Sequence, residues 1–294
     1  MKKILLIIMD ILIAVSIYSY EIKENRIYDK YGNNIEIKRY KKIVVIDPAA
    51  VETIFMLKGE EVIIGIGKNE KSNIWPYEET EKLTSIGTAS KPSFEKVIAL
   101  EPDLVILNLA STGMTEGLKN LKIPFIFHDS SRDIESILES IKIYGKLLGK
   151  EKEAERLYND SIKKLDSIKI NPLNLKGLII YSASPMISFS NNYLPGKVLV
   201  YMGVENIAED AAGNMPIISA EHILEKDVDF IIASKNIGTL DNLLKVNPVL
   251  AKTRAVTENN IIFYNAADFL RGSPKLFEDM EIIYQKLSEN NIKE

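Results

Sequence analysis

The chain carries one phrase twice. Residues 93–107 read SFEKVIALEPDLVIL and residues 219–233 read SAEHILEKDVDFIIA. Aligned, Ser93 falls on Ser219, Glu95 on Glu221, Val97-Ile98 on Ile223-Leu224 and Asp103 on Asp229. Leu104-Val105-Ile106 then falls on Phe230-Ile231-Ile232. Each copy opens with a serine placed to cap a helix, and its acid sits in the first turn, where it offsets the helix dipole. Each closes on a short apolar run led by aspartate, the pattern of a strand buried on both faces. A unit of this kind written twice calls for two similar lobes.

The flanking sequence extends the repeat. RIYDKYGNNIEIKRY (26–40) alternates about Gly32-Asn33 as a small hairpin. KIVVID (42–47) is a β-branched run, AVETIFMLKG (50–59) has helical spacing, EVIIGIG (61–67) is another buried run, and LKNLKIPFIF (118–127) follows the first phrase. After Pro172 the alternation resumes with KGLIIYS (176–182), GKVLVYMG (196–203) stopped by Gly203, VDFIIAS (228–234) and NIIFYN (260–265). SPKLFEDMEIIYQKLSEN (273–290) makes a last amphipathic helix. Short apolar strands alternating with helices predict parallel, doubly wound sheets.

Between the halves, residues 132–170 contain no proline. Their apolar positions fall at helical spacing: Ile134, Ile137, Leu138, Ile141, Tyr144, Leu147 and Leu148. Unbroken by Gly145 or Gly149, this segment would run about 50 Å at 1.5 Å per residue. It reads either as one long surface helix or as a strut between lobes. The predicted fold class is α/β, two doubly wound Rossmann-like lobes joined by one long α-helix. The expected organisation is a signal peptide at 1–19, an N-terminal lobe at 20–131, a linker helix at 132–170 and a C-terminal lobe at 171–294.

Composition narrows the function. A net charge of −4 without a Lys/Arg block argues against a nucleic-acid partner. The absence of cysteine excludes disulfides, thiolate metal sites, a cysteine nucleophile and a lipid-bearing cysteine. MKKILLIIMDILIAVSIYSY has the layout of a secretory signal, with Asp10 interrupting its apolar run; a buried first strand or a membrane anchor is the alternative. Without a lipid-bearing cysteine, a free periplasmic protein of a two-membrane bacterium is expected. The sequence has no G-x-G-x-x-G, P-loop, G-x-S-x-G or H-E-x-x-H. A secreted two-lobed α/β enzyme, such as a glycosyltransferase or chelatase, is the alternative function. An adhesin built of repeats would call for more than two copies.

Taken together, IYDKYGNNIEIKRYKKIVVI, LTSIGTASKPSFEKVIALEPDLVIL, the linker segment, LPGKVLVYMGVENIAED with ISAEHILEKDVDFII, and FLRGSPKLFEDM resemble the substrate-binding proteins of ABC importers for iron–siderophore complexes, haem and cobalamin. The resemblance covers essentially the whole chain after residue 19. It implies a binding protein and not an enzyme, a monomer, and no cofactor. It also implies a metal-chelate ligand, with iron–siderophore first and haem, cobalamin or a nickel/cobalt chelate behind. In that family a glutamate on each lobe docks onto arginines of the membrane permease, and the matching positions here are Glu95 and Glu221.

In open parallel sheets, ligands bind outside the carboxyl ends of the strands. Residues at such ends include Asn108, His128, Tyr181 and Tyr264, with Arg271 nearby and Trp75, the only tryptophan, in the loop KNEKSNIWPYEET. Trp75 either stacks on a flat chelate or anchors packing. Arg271 either pairs with ligand carboxylates in a bidentate fork or meets Asp268. Tyr181 and Tyr264 are hydrogen-bond donors or iron ligands, or else half-buried rings with satisfied hydroxyls. The chain has two histidines, His128 and His222, too few for a bare-zinc site. His128 is either a ligand to haem iron or a chelated metal, or a structural residue.

Overall fold

A computed structural model describes residues 20–68, 73–129 and 133–291. The expected signal segment at 1–19 lies outside the described residues. The chain enters through β1 (Tyr20–Lys23), β2 (Arg26–Asp29) and β3 (Asn34–Glu36), an antiparallel meander in the order β1-β2-β3. Ile27 and Ile35 stand opposite each other and are buried, as the alternation around Gly32-Asn33 requires. The Asp29 carboxylate accepts from the amides of Tyr31 and Asn33, each at 2.9 Å, and from the Phe127 amide at 3.0 Å. One side chain therefore closes the turn and fastens the meander to the lobe behind it.

The N-terminal lobe runs β4 (Ile43–Val45), α1 (Pro48–Met56), β5 (Ile63–Ile66), α2 (Tyr77–Lys82), β6 (Gly87–Thr88), β7 (Lys91–Pro92), α3 (Phe94–Ala99), β8 (Leu104–Leu107), α4 (Thr115–Asn120) and β9 (Phe125–Phe127). Strands β5-β4-β8-β9 form one parallel sheet. Its strands read as continuous apolar runs because helices cover both faces. Val45, Leu104 and Ile106 pack with Ala50, Val51 and Ile54 of α1. Val44, Val105 and Leu107 pack with Val97 of α3 and Leu118 of α4.

Next come α5 (Ile134–Leu148) and α6 (Glu151–Ile170). The single strut expected over 132–170 is corrected here: it is two helices, broken at Gly149. Gly149 takes φ +65°, a left-handed conformation that glycine adopts without the steric cost borne by other residues. The Lys150 amide donates back to the Gly145 carbonyl at 2.8 Å and closes the turn. The helices then fold against each other. A Cβ at Gly145 would lie 2.4 Å from that of Ala154, and the Lys142 ammonium sits 3.9 Å from the Tyr158 ring centre. Both helices reach both lobes. Ile141, Tyr144, Leu147 and Ala154 belong to the N-terminal core, whereas Ile134, Ile137, Leu165 and Ile168 belong to the C-terminal one.

The C-terminal lobe runs β10 (Leu175–Ile180), β11 (Ser182–Ala183), β12 (Met186–Ile187), α7 (Leu194–Tyr201), β13 (Val204–Asn206), α8 (Ala220–Lys226), β14 (Phe230–Ser234), α9 (Leu240–Val246), α10 (Arg254–Thr257), β15 (Ile261–Tyr264), α11 (Ala266–Leu270) and α12 (Lys275–Asn291). Its parallel sheet has the order β13-β10-β14-β15, strand for strand that of the first lobe. Helices α7 and α12 cover one face through Val198, Leu199, Leu276 and Met280, and α8 and α9 the other through Ile223 and Leu243.

The repeated aspartate now has a cause. Asp103 accepts from the amides of Lys41 and Lys42 at 2.8 and 3.0 Å, just before β4. Asp229 accepts from the Lys176 amide of β10 at 2.6 Å. Each carboxylate holds the start of its lobe's central strand. Among the described residues, no helix is long and apolar enough to cross a membrane.

Candidate functional site

The strand ends supply the candidate ligand surface, and the structure gives its residues unlike surroundings. Asn108, at the end of β8, caps the turn that follows: its Oδ1 accepts from the Ser111 amide at 3.1 Å, and its Nδ2 donates to the Ala89 carbonyl at 2.8 Å. Tyr181 is half-buried, with its ring edge-on to Phe189 at 5.6 Å. Phe189 in turn stacks on Tyr193 at 5.7 Å. Tyr264 is also half-buried, 4.9 Å from Phe269. Burial raises the pKa of its hydroxyl, and the negative charge of the nearby Asp279 carboxylate adds to the rise.

His128, at the end of β9, is enclosed. Its side chain has 0% exposure, and Nδ1 lies 2.8 Å from the Tyr144 hydroxyl and 3.3 Å from that of Tyr20. Nε2 stands 4.0 Å from Asp47 Oδ1, and the ring also meets the Gly272 backbone of the opposite lobe. Burial lowers the imidazole pKa below the ordinary 6.5, with Asp47 and Asp129 opposing the shift. A neutral ring between two tyrosine hydroxyls joins the β1 entry, α5 and the C-terminal segment.

Arg271 is likewise committed. Its guanidinium donates from Nη1 to Glu52 Oε1 at 2.9 Å, to the Asn73 carbonyl at 2.8 Å and to Asp268 at 3.4 Å, and from Nη2 to Asn73 Oδ1 at 3.0 Å. Glu52, in the middle of α1 and 3% exposed, also accepts from Ser273 at 2.5 Å and from the Trp75 amide at 3.3 Å. Burial pushes the Glu52 carboxyl up, opposed by Arg271, Ser273 and the Trp75 amide. This pair joins the lobes across 219 positions of sequence. Sequence reasoning missed Glu52 because an acid on an otherwise apolar helix face has no local partner to reveal it. Trp75 itself stays partly exposed.

The two repeated acids are exposed. Glu95 sits in the first turn of α3, where Ser93 Oγ caps the Lys96 amide at 3.3 Å. Glu221 occupies the same place in α8, where Ser219 Oγ caps the His222 amide at 3.1 Å. Hydrogen bonds from its own amide and from the Ser93 hydroxyl hold the Glu95 carboxyl below its usual value. Helices α3 and α8 lie on the sheet faces away from α1, α7 and α12, so both acids point from the same side of their lobes. His222 shares that helix, its Nε2 3.4 Å from the Ile207 carbonyl. Among the described residues, no group of three His, Asp or Glu side chains is placed to hold a metal ion.

A family model described as periplasmic binding protein matches residues 43–267, from the first strand of the N-terminal sheet to the start of α11. The chain belongs to the periplasmic binding protein family. Family membership makes it a binding protein and sets the glycosyltransferase and chelatase alternative aside. It is 26% identical over 252 residues to the petrobactin-binding protein YclQ of Bacillus subtilis, covering 81% of this chain and 78% of that one. The crystal structure of YclQ superposes with a TM-score of 0.76 over 90% of this chain and 99% of the other, at 21% identity. A vitamin B12-binding protein of Pectobacterium carotovorum is 23% identical over 257 residues, 84% of this chain and 88% of its own. The periplasmic heme-binding protein RhuT from Roseiflexus sp. RS-1 gives a TM-score of 0.73 at 21% identity, over 85% and 98% of the two chains. In the periplasmic binding protein fold, the matched sheet order of the two lobes is the architecture that sets α3 and α8 in equivalent places.

Proposed function

We propose that this protein captures an iron–siderophore complex at the facing strand ends of its two lobes and delivers it to an ABC permease. The observation that carries the reading is the exposed acid at the same helix position in each of two lobes whose parallel sheets share one strand order. A partner built from two like halves can be met by both at once, one carboxylate to each. The ligand class draws support from YclQ, whose name states petrobactin binding, and from the match of both chains over most of their length. Haem, cobalamin or a nickel/cobalt chelate is the second choice, favoured by the vitamin B12- and heme-binding relatives.

Within this reading Trp75 and Tyr181, both part-exposed, are the first aromatic contacts for the chelate. Asn108 and Tyr264, part-exposed as well, are its further polar contacts, and Arg271 and the buried His128 hold that surface in shape. Glu95 and Glu221 meet permease arginines. The protein acts outside the cytoplasm, as a monomer without cofactor or nucleic-acid partner, and is exported through the segment at 1–19. Thermal unfolding and Trp75 emission measured against ferric siderophores, haem and cobalamins test the ligand class. A ferric siderophore is expected to raise the melting temperature and to titrate the fluorescence at one per chain. If haem or a cobalamin does so while every ferric siderophore fails, the second choice replaces the first; if no chelate acts, the ligand reading is lost.

A further inference from the structure

The Glu52–Arg271 pair does more than join two lobes. Three of its contacts fall on one short stretch, residues 73–75. Arg271 reaches both the carbonyl and the side-chain oxygen of Asn73, and Glu52 receives the Trp75 amide. Thus residues 73–75 of the N-terminal lobe are held at the Asn73 carbonyl and side chain by Arg271 of the C-terminal lobe, and at the Trp75 amide by Glu52 of their own. The Arg271 side chain is 11% exposed and its carboxylate partner 3%, so water competes poorly for the bond between them. A planar fork with several fixed donors suits this task, and a lysine would not hold both oxygens of Asn73 at once.

We propose that Arg271 and Glu52 are positioning residues for Trp75, a clamp through which the relative placement of the two lobes sets the shape of the loop at the ligand surface. The proposal rests on the reading of the strand ends as that surface, but its test needs no ligand. This contact couples the placement of the lobes to a particular side chain. If the lobes separate, Arg271 and Ser273 leave together, and Glu52 keeps the Trp75 amide. Opening then loosens the 73–75 turn as well as widening the gap. If loss of the clamp leaves the loop in its binding form for about a tenth of the time, apparent affinity falls about tenfold without any direct ligand contact being removed.

Because Trp75 is the only tryptophan, intrinsic fluorescence reads this loop alone. The full chain is compared with Arg271→Met, Ser273→Ala and Asn73→Ala, each without ligand. Ser273→Ala removes a bond to Glu52 that does not touch the loop, so it is expected to lower the melting temperature and leave Trp75 unchanged. Arg271→Met is expected to move Trp75 emission to longer wavelength and to increase its quenching by acrylamide, with the far-ultraviolet circular dichroism retained. Asn73→Ala alters an exposed residue, so the lobes stay folded, and it is expected to change Trp75 in the same direction by less. Should Arg271→Met fail to fold, Asn73→Ala carries the test. Emission and quenching in the Asn73 variant, or in a folded Arg271 variant, that superpose on those of the parent would overturn the clamp and leave the pair a stability contact. That outcome is independent of whether any chelate binds.

Discussion

Replacing Gly149 by alanine distinguishes the helical hairpin from an unbroken strut by the sign of its effect. In the structure Gly149 has φ +65°, and no heavy atom lies within 4 Å of the position a Cβ would take. The substitution therefore acts on the backbone alone. Holding alanine in the left-handed region costs about 1–2 kcal/mol. The less flexible unfolded chain returns about 0.4–1 kcal/mol. The expected result is a net loss of about 1 kcal/mol. In a continuous helix the same change would be a gain of about 0.8–1 kcal/mol, because alanine is the better helix former. Urea denaturation followed by circular dichroism reads the difference. Gly145→Ala serves as a steric companion: its Cβ would stand 2.4 Å from that of Ala154, so α5 and α6 must part, at about 1–3 kcal/mol. A Gly149→Ala protein as stable as the parent, or more so, would refute the break.

The Gly149 turn also marks the edge of what the sequence makes visible. Apolar spacing showed that 132–170 is helical, and the structure has helix at 134–148 and 151–170, because period and composition are local properties. It could not choose between Gly145 and Gly149, or decide whether either broke the chain, since glycine is tolerated inside helices. Only the fold shows Gly145 serving the close approach of α6 while Gly149 supplies the reversal. The two lobes were legible for the opposite reason. Ser93 and Ser219 cap, Asp103 and Asp229 fasten a strand, and the runs after them are buried, so the same physical demands wrote the same letters twice. The candidate site was less legible. The residue types at strand ends are visible, but their partners are not: Arg271 finds Glu52, and His128 finds Tyr20 and Tyr144, only once distant segments meet.

Other outcomes follow from the same contacts. His128 is held neutral below the ordinary histidine value, whereas the unfolded chain takes up that proton near pH 6.5, so stability should fall as pH drops from 7.5 to 5.5, by at most about 1.4 kcal/mol per pH unit from this group. His128→Asn should flatten the slope in urea melts at several pH values, and equal slopes would remove His128 as its source. Asp103→Ala and Asp229→Ala should each cost about 1.5–3 kcal/mol, since each leaves strand-leading amides without their charged acceptor. A large loss in one lobe and none in the other would break the structural equivalence. At a ligand concentration 100 times the dissociation constant, a bound chelate should add about 2.7 kcal/mol of stability. Lobe opening should stay modest because two packed helices and a buried ion pair span the junction. Small-angle scattering with and without ligand checks this, and a decrease of several ångströms in radius of gyration on binding would contradict it.

Uptake of the chelate by cells carrying Glu95→Arg or Glu221→Arg tests the functional reading most directly, provided that chelate affinity is measured on the same purified proteins. Both acids are exposed, in the first turns of α3 and α8, and neither belongs to the residues proposed to hold the chelate, so affinity should stay at the parent value. Uptake should be lost with either change, because each places a positive charge against a permease arginine. Glu→Gln at either position, which keeps hydrogen bonding and removes the charge, should weaken uptake less than reversal. Acidic replacements of the permease arginines should partly restore uptake with the reversed variants. Normal uptake by both reversed variants at unchanged affinity would reduce the repeated glutamate to a feature of helix starts and contradict delivery through two equivalent acids.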